Sequence, residues 1–306
     1  SDLSEIKEKN TELKNNKLIS LLGSIKDKDL IEHTISSWKP DTVFHAAAYK
    51  HVSLVEQNII EGVKNNVFGT INILKSAISN KVSNFVLIST DKAVKPINLM
   101  GATKRLAEMY MQAFNKFKNY SEDINLTIVR FGNVLESSGS VIPIFKKQIK
   151  YGGPLTLSDP NVTRYFMSIP EASSLVIQAS ALTKKDEIFV LDMGKPIKIL
   201  DLACKMISLS GLTIKDKLHP YGDIEIIIKG LYPGEKLHED LLVGGNPIPT
   251  NHPKILKVKD TIVEFKELEK KLDHLKFLIE QRELERIINF FNELSDNFDL
   301  ETRNFN

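Results

Sequence analysis

A chain of 306 residues, 42% hydrophobic and 26% charged, is long enough to bury a sizeable core in one large or two modest domains. Its net charge of +2 gives no general electrostatic reason to bind nucleic acid or an anionic membrane. The single cysteine, Cys204, excludes an internal disulfide and a cysteine metal cluster and fits a reducing cytosol. No apolar run approaches the ~18 residues of a membrane-spanning helix, and no signal peptide is visible.

In chain order, Leu18–Leu22 reads as a strand, Asp27–Ser37 as a helix, Thr42–Ala46 as a strand and Val55–Ser79 as a long helical stretch. A strand at Phe85–Ser89, a helix at Leu99–Phe117, a strand at Leu126–Phe131, a helix at Glu171–Leu182 and a strand at Ile188–Leu191 follow. The strands are continuous runs of Val, Ile, Leu and Phe, as parallel strands covered on both faces require. Their alternation with helices predicts a doubly wound α/β domain that takes its ligands beyond the carboxyl ends of the strands. Leu135–Arg164 and Pro196–His252 are richer in Gly and Pro and read as a smaller, loop-rich lobe over the sheet edge. From Thr261 on, Phe265, Leu268, Leu272, Leu275 and Ile279, then Leu284, Ile287, Phe291 and Leu294, recur at helical spacing. They predict one or two amphipathic helices packed on the parent domain.

The chemistry-bearing residues gather at predicted strand ends. Thr90, Asp91 and Lys92 follow the Phe85–Ser89 strand, and a hydroxyl, a carboxyl and an amine there can orient a substrate and move protons. Taken alone, the three fit a polar turn with a stray ion pair equally well. Met100 and Lys104 stand four apart on one helix face; with Met at the first position no phenol is available as a base, and Lys104 alone could be a solvated helix charge. Ala46, Ala47 and Ala48 let a flat or charged ligand approach the backbone and Lys50 could meet a phosphate, although such an alanine run more often marks a tight helix–strand contact. Asn65 and Asn66 are unusual inside a helix unless bonded to something. Gly132 and Asn133 precede a Ser/Gly loop able to donate backbone hydrogen bonds to phosphate. Arg164 and the Glu235–Lys236 pair are polar groups of the loop-rich lobe, each more often a surface residue than a ligand contact. There is no GxGxxG, no P-loop, no Ser-His-Asp elbow and no aromatic-basic array for nucleic acid. The seven histidines show no metal-ligand spacing.

Seven segments, "VFHAAAYKHVSLVE", "NNVFGTINI", "VLISTDKAVKPINLMGATKRLAE", "VRFGNVLESSGSVIPIF", "GGPLTLSDPNVTRYFMSIPEA", "FVLDMGKPIKI" and "LYPGEKLHEDLL", occur in order. Together they resemble the nucleotide-sugar 4,6-dehydratases of bacterial polysaccharide and glycan synthesis, which are extended short-chain dehydrogenase-like enzymes. The resemblance runs from about Asp2 to His252. Met100 in place of Tyr is similar to the large, membrane-attached branch that acts on UDP-N-acetylglucosamine.

The resemblance implies a lyase with tightly held NAD. C4 of the hexose is oxidised, water is eliminated across C5 and C6, and the hydride returns to C6. Thr90 would hydrogen-bond the C4 hydroxyl, Asp91 would protonate the departing C6 hydroxyl, and Lys92 would take the C5 proton. A lysine base must be neutral, so its pKa must fall from about 10.4, through desolvation and neighbouring Lys104. Beside the Met100 position, Lys104 would hold the nicotinamide ribose. Asp2, Ser24, Ile25, Ala46, Ala47, Ala48, Lys50 and Asn66 would line the rest of the cofactor site, and Asn133, Arg164 and Lys236 would bind the UDP group. The implied domains are a partial Rossmann-like NAD domain (1–134 and 168–194), a nucleotide-sugar lobe (135–167 and 195–260) and a C-terminal helical segment (261–306). The implied partners are a UDP-sugar and a second copy of the chain in a homo-oligomer, with no nucleic acid and no metal.

One departure is large. The family opens its NAD domain with a strand, a glycine-rich turn and a helix, whereas "DLSE" at Asp2 resembles the end of the second strand. The turn that binds pyrophosphate and the membrane-attaching helices are expected upstream of Ser1, at the inner face of the cell membrane. Without that turn NAD affinity should collapse. Two other readings stay open: a nucleotide-sugar epimerase on the same scaffold, and an inactive sugar-nucleotide-binding fragment.

Overall fold

The computed structural model describes residues 18–117, 124–183, 187–241, 247–260, 262–294, 298 and 300. Its centre is a six-stranded sheet. The strands are β1 (Thr42–His45), β2 (Asn84–Ile88), β3 (Asn125–Arg130), β4 (Glu187–Leu191), β5 (Ile248–Pro249) and β6 (Ile255–Val258), in the spatial order β1-β2-β3-β4-β6-β5. The first four run parallel, with Phe85 of β2 opposite Val43 and Leu126 and Ile128 of β3 opposite Ile188, while β6 and β5 close the edge antiparallel. Phe85, Val86, Leu87, Val129, Phe189 and Leu191 are all but sealed from solvent. Each such side chain contributes ~1.5–3 kcal/mol, so a run apolar on every residue is stable only with both faces covered. The α/β class expected from the sequence is the one observed.

One face is covered by helices Lys28–Trp38, Thr70–Ser79 and Leu99–Phe117, and the other by Ile169–Leu182. The long helix Leu99–Phe117 begins where Asn98 accepts the Gly101 amide on its side chain (2.8 Å), an N-cap that serves an otherwise unpaired donor. Helices Phe265–Glu280 and Leu284–Leu294 pack on the same core, Phe265 standing 5.5 Å from Tyr110 and 4.9 Å from Phe117, centroid to centroid. The loop-rich lobe has its own core beneath a three-stranded parallel sheet (Ile214–Lys215, Ile224–Ile228, Leu155–Leu157) and helices Val141–Lys150 and Ile199–Leu209.

Two expectations need correction. Leu18–Leu22 is not a strand: it pairs with nothing among the described residues, and Leu21 and Leu22 face solvent at 61% and 102% exposure. An apolar run becomes a strand only beside a partner that takes its backbone groups. The stretch Val55–Ser79 is not continuous either. It divides into Val52–Gln57, Ile59–Val63, a π-helical segment at Lys64–Gly69, and Thr70–Ser79. The wider π turn carries Asn65 and Asn66, whose side chains reach the loop after β1, and such turns gather at functional sites.

Candidate active site

The carboxyl ends of β1, β2 and β3 open into a cavity of about 330 Å³ walled by Ala46, Ala48, Lys50, Thr90, Lys92, Met100, Lys104 and Asn133, among others. A second cavity, of about 230 Å³, meets it at Lys92 and His51 and continues between Arg164, Glu235 and Glu239. The expected Met100–Lys104 helix face therefore shares one cavity with Thr90, Lys92 and Asn133, Arg164 lines the adjoining one, and Asp91 sits behind the walls of both.

The turn is a single 3₁₀ segment, Asp91–Ala93, capped by Thr90. The Thr90 hydroxyl donates to Asp91 Oδ1 (2.9 Å), and Lys92 Nζ donates to the same oxygen (3.0 Å) and to Asn133 Oδ1 (3.4 Å). Lys92 also lies 3.5 Å from Glu239 Oε1. Asp91 is fully buried, and Asp91 Oδ2 and Glu239 Oε2 have no hydrogen-bond partner among the described residues. Close backbone approach fixes the turn. A Cβ on Gly101 would stand 2.2 Å from Lys92 O, and one on Gly132 would stand 2.9 Å from Asp91 Oδ2.

The electrostatics correct one expectation. Burial pulls the Lys92 pKa down, but the carboxylates of Asp91 and Glu239 outweigh it and leave Lys92 above its ordinary value. The lowered lysine is Lys104, which burial takes to about 8 against the opposing pull of Glu108. Lys104 donates to Ile88 O (2.6 Å). Burial, with Lys104 nearby, also takes His45 to about 3, so its Nε2, 2.8 Å from the Thr70 hydroxyl, belongs to a neutral ring.

Beneath the turn lies an ion cluster that sequence reasoning missed. Arg130 at the end of β3 forks onto Glu108 of the long helix (2.9 and 2.6 Å) and reaches Asp260 after β6 (2.6 Å). Arg105 joins the same two carboxylates, and Ser89, beside Thr90, donates to Glu108 (2.5 Å). Arg130 chiefly holds the Glu108 carboxyl at about 2 despite burial. Arg105 and Glu108 stand three apart on the long helix, but Arg130 and Asp260 come from distant parts of the chain, so local spacing announces only one pair of the cluster. Glu239 was also missed; its only signal is its position four residues after Glu235 in "YPGEKLHE".

The remaining expected residues divide. Ala46, Ala48 and Lys50 wall the cavity. Asn66 is buried behind it, accepting the Tyr49 amide (2.7 Å) and donating to Tyr49 O and Thr103 (3.1 and 3.0 Å), while Asn65 donates to Ala47 O (2.9 Å). Both asparagines thus shape the alanine loop from outside the cleft. Ser24 and Ile25 lie outside the cavity walls, Ile25 packing on the core. Asp2 lies outside the described residues. Arg164 donates to Thr163 O (2.7 Å) and Glu235 (3.2 Å), and Lys236 turns to Val94 O (3.1 Å), bracing the far end of the turn.

The cleft fits the nicotinamide–ribose half of a dinucleotide. Alanine methyls leave room above β1, Met100 gives an apolar wall, and a buried lysine with a lowered pKa faces the space. Among the described residues no glycine-rich turn opens a helix beside β1, so a pyrophosphate cradle of that kind is not part of the described site. Nor does any group of three or more His, Cys, Asp or Glu among them suit a metal ion, or any helix have the length and apolarity to cross a membrane.

Residues 1–260 match the family described as polysaccharide biosynthesis protein. The chain is 51% identical to the capsular polysaccharide biosynthesis protein CapD of Staphylococcus aureus over 224 residues, which is 73% of this chain and 36% of CapD. It thus spans about a third of that relative's length. It is 36% identical to the UDP-glucose 4-epimerase of Rickettsia rickettsii over 230 residues, 75% of this chain and 63% of that protein. The solved structure of Pen from Bacillus thuringiensis superposes with a TM-score of 0.72 at 32% identity, covering 89% of this chain and 87% of Pen. Solved NAD-bound epimerases and dehydratases share the fold at 18–20% identity, with TM-scores of 0.59 and 0.60.

Proposed function

The chain belongs to the polysaccharide biosynthesis protein family, and from that membership we propose that it carries the acid–base centre of an NAD-dependent nucleotide-sugar 4,6-dehydratase acting on UDP-N-acetylglucosamine. The observation that carries the reading is the hydrogen-bonded Asp91–Lys92 pair, set beside Thr90 in one cleft with Met100 and Lys104.

Bound NAD supplies the acceptor, and later the donor, of the hydride that leaves C4 and returns to C6. Lys104 holds the nicotinamide ribose, with Ala46 and Ala48 leaving room for it and Lys50 at the cavity wall. Thr90 orients the C4 hydroxyl, whose proton passes to solvent water as the hydride departs, and the Lys92 ammonium returns a proton to C5 as the hydride reaches C6. Asn133 and Arg164 bind the diphosphate side of the substrate, and Lys236 supports the turn.

At rest Lys92 is the cation and Asp91 the anion, the reverse of what elimination requires. Passing one proton along their 3.0 Å hydrogen bond yields an amine and a carboxylic acid together. The amine then takes the C5 proton while the acid protonates the departing C6 hydroxyl. After elimination Lys92 is again the ammonium and Asp91 the carboxylate. Desolvation by a seated substrate favours this shift, because burial penalises the charged forms.

The test is the full-length protein with NAD and UDP-N-acetylglucosamine in deuterium oxide. A UDP-4-keto-6-deoxy sugar with solvent deuterium at C5 is expected. The Rickettsia relative's name favours a second reading, C4 epimerisation, which needs neither an acid for C6 nor a base for C5. A product that is only the C4 epimer would establish that reading and end the first.

A further inference from the structure

Glu239 belongs to the loop-rich lobe, yet its carboxylate ends in the cleft. The side chain is 3% exposed, and its Oε1 lies 3.5 Å from Lys92 Nζ, with Asp91 Oδ1 3.0 Å from the same nitrogen. One ammonium is thereby divided between two carboxylates, and each keeps one buried oxygen without a hydrogen-bond partner among the described residues. Burying a carboxylate on such terms is unfavourable, and a neutral or apolar residue would close the lobe onto the turn at lower cost. The charge therefore has a use that packing does not explain.

We propose that Glu239 is a positioning residue for Lys92: from the loop-rich lobe it shares the amine with Asp91 and holds it where the two cavities meet. Its consequence for turnover rests on the dehydratase reading. There the base must face C5 while the acid faces the C6 hydroxyl, and a second carboxylate keeps the amine from turning wholly onto Asp91 once the proton has passed between them. The lobe that binds the nucleotide would then aim the base through one ion pair.

The charges around the pair are few. Lys92 is faced by Asp91 and Glu239, which favour its cation, and by Arg164, which opposes it. Burial raises the Glu239 carboxyl, with Asp91 acting the same way and Lys92, Arg164 and Lys236 against. Removing the Glu239 charge therefore leaves Lys92 with one carboxylate instead of two and an easier deprotonation.

The experiment titrates the Lys92 amine in the full chain after ¹³C reductive methylation, the signal being assigned by its loss in K92M. In E239Q, which keeps the shape without the charge, the midpoint falls by about one pH unit or more. In E239D, which retracts the charge by one methylene, it falls less. An unchanged midpoint in folded E239Q overturns the proposal, and if E239Q does not fold, an unchanged midpoint in E239D does so. Because this readout needs no turnover, failure of the wild type to form a 4-keto-6-deoxy sugar sinks the dehydratase reading while the titration still decides the role of Glu239. With an active enzyme, kcat of E239Q falls by about tenfold at unchanged KM, and the alkaline limb of its pH profile, where the pair loses its shared proton, moves to lower pH. A lower kcat with an unmoved limb would mark a merely structural residue and overturn the proposal.

Discussion

Replacing Gly101 by Ala sets helix propensity against the geometry of the site. Gly101 lies in the first turn of the long helix with ordinary helical backbone, so alanine should stabilise the helix by up to ~1 kcal/mol. The space around it says the opposite. The added Cβ would stand 2.2 Å from Lys92 O, 3.0 Å from Lys92 C and 3.2 Å from Asn98 Oδ1. Ordinary contact begins at 3.4 Å, so the separation must grow by 3.4 − 2.2 = 1.2 Å. The nearest atom is backbone, hence no rotamer relieves the clash and the Asp91–Ala93 turn must move as a unit. Overpacking of this kind costs ~1–3 kcal/mol, which exceeds the propensity gain, and a misplacement of about 1 Å costs ~10²-fold in rate. We expect G101A to fold with a lower Tm, measured by circular dichroism, and to lose kcat by ~10²-fold in the product assay. A variant with wild-type kcat and a raised Tm would refute the idea that helix and turn are locked at this point.

Lys92→Ala should abolish release of the 4-keto-6-deoxy product while C4 oxidation persists, seen as reduced-nicotinamide absorbance in a single turnover; equal loss of both steps would count against the assignment of Lys92 as base. Lys104→Met should raise stability near pH 7, because burial holds the folded lysine at about 8 and its charged form is disfavoured there; the same variant should lose NAD on gel filtration, and full retention would remove Lys104 from the cofactor site. Glu108 titrates at about 2 in the folded chain against 4.5 ordinarily, a depressed carboxyl. Its contribution, ~3 kcal/mol, is present above pH 4.5 and disappears as pH falls towards 2, so urea midpoints should drop across that window. Glu108→Gln should flatten the drop and destabilise the protein at neutral pH by ~3–5 kcal/mol, since Arg130 keeps its burial and loses its main partner.

Periodicity and residue type made the strands legible because each parallel strand is largely apolar, and the long helix begins at Leu99 as its pattern indicates. The site was legible where its residues are close in sequence: Thr90, Asp91 and Lys92 share one turn, and Met100 and Lys104 one helix face. Contacts set by tertiary structure were not. Arg130, Glu108 and Asp260 meet only after the sheet is assembled, and a π segment adds width to a turn without disturbing the apolar pattern around it. The direction of the Lys92 shift was misjudged for the same reason. Its second carboxylate, Glu239, arrives from 147 residues (239 − 92) further along the chain. Leu18–Leu22 shows the limit of composition alone, since its side chains suit a strand but its backbone finds no neighbour.

The cluster under the turn also carries information about the order of assembly. Ser89, Arg105, Glu108 and Arg130 are all made by the time β3 exists, but Asp260 comes only after β6 docks antiparallel on β4. Until then two guanidinium groups, Arg130 buried and Arg105 partly so, share one carboxylate, and the platform carries surplus positive charge in a low-dielectric setting. Long-range closures of this kind come late in folding. The acid–base turn would thus receive its electrostatic support from the last strand of the sheet in chain order, and nascent chains ending short of Asp260 would hold that turn over an unbalanced floor.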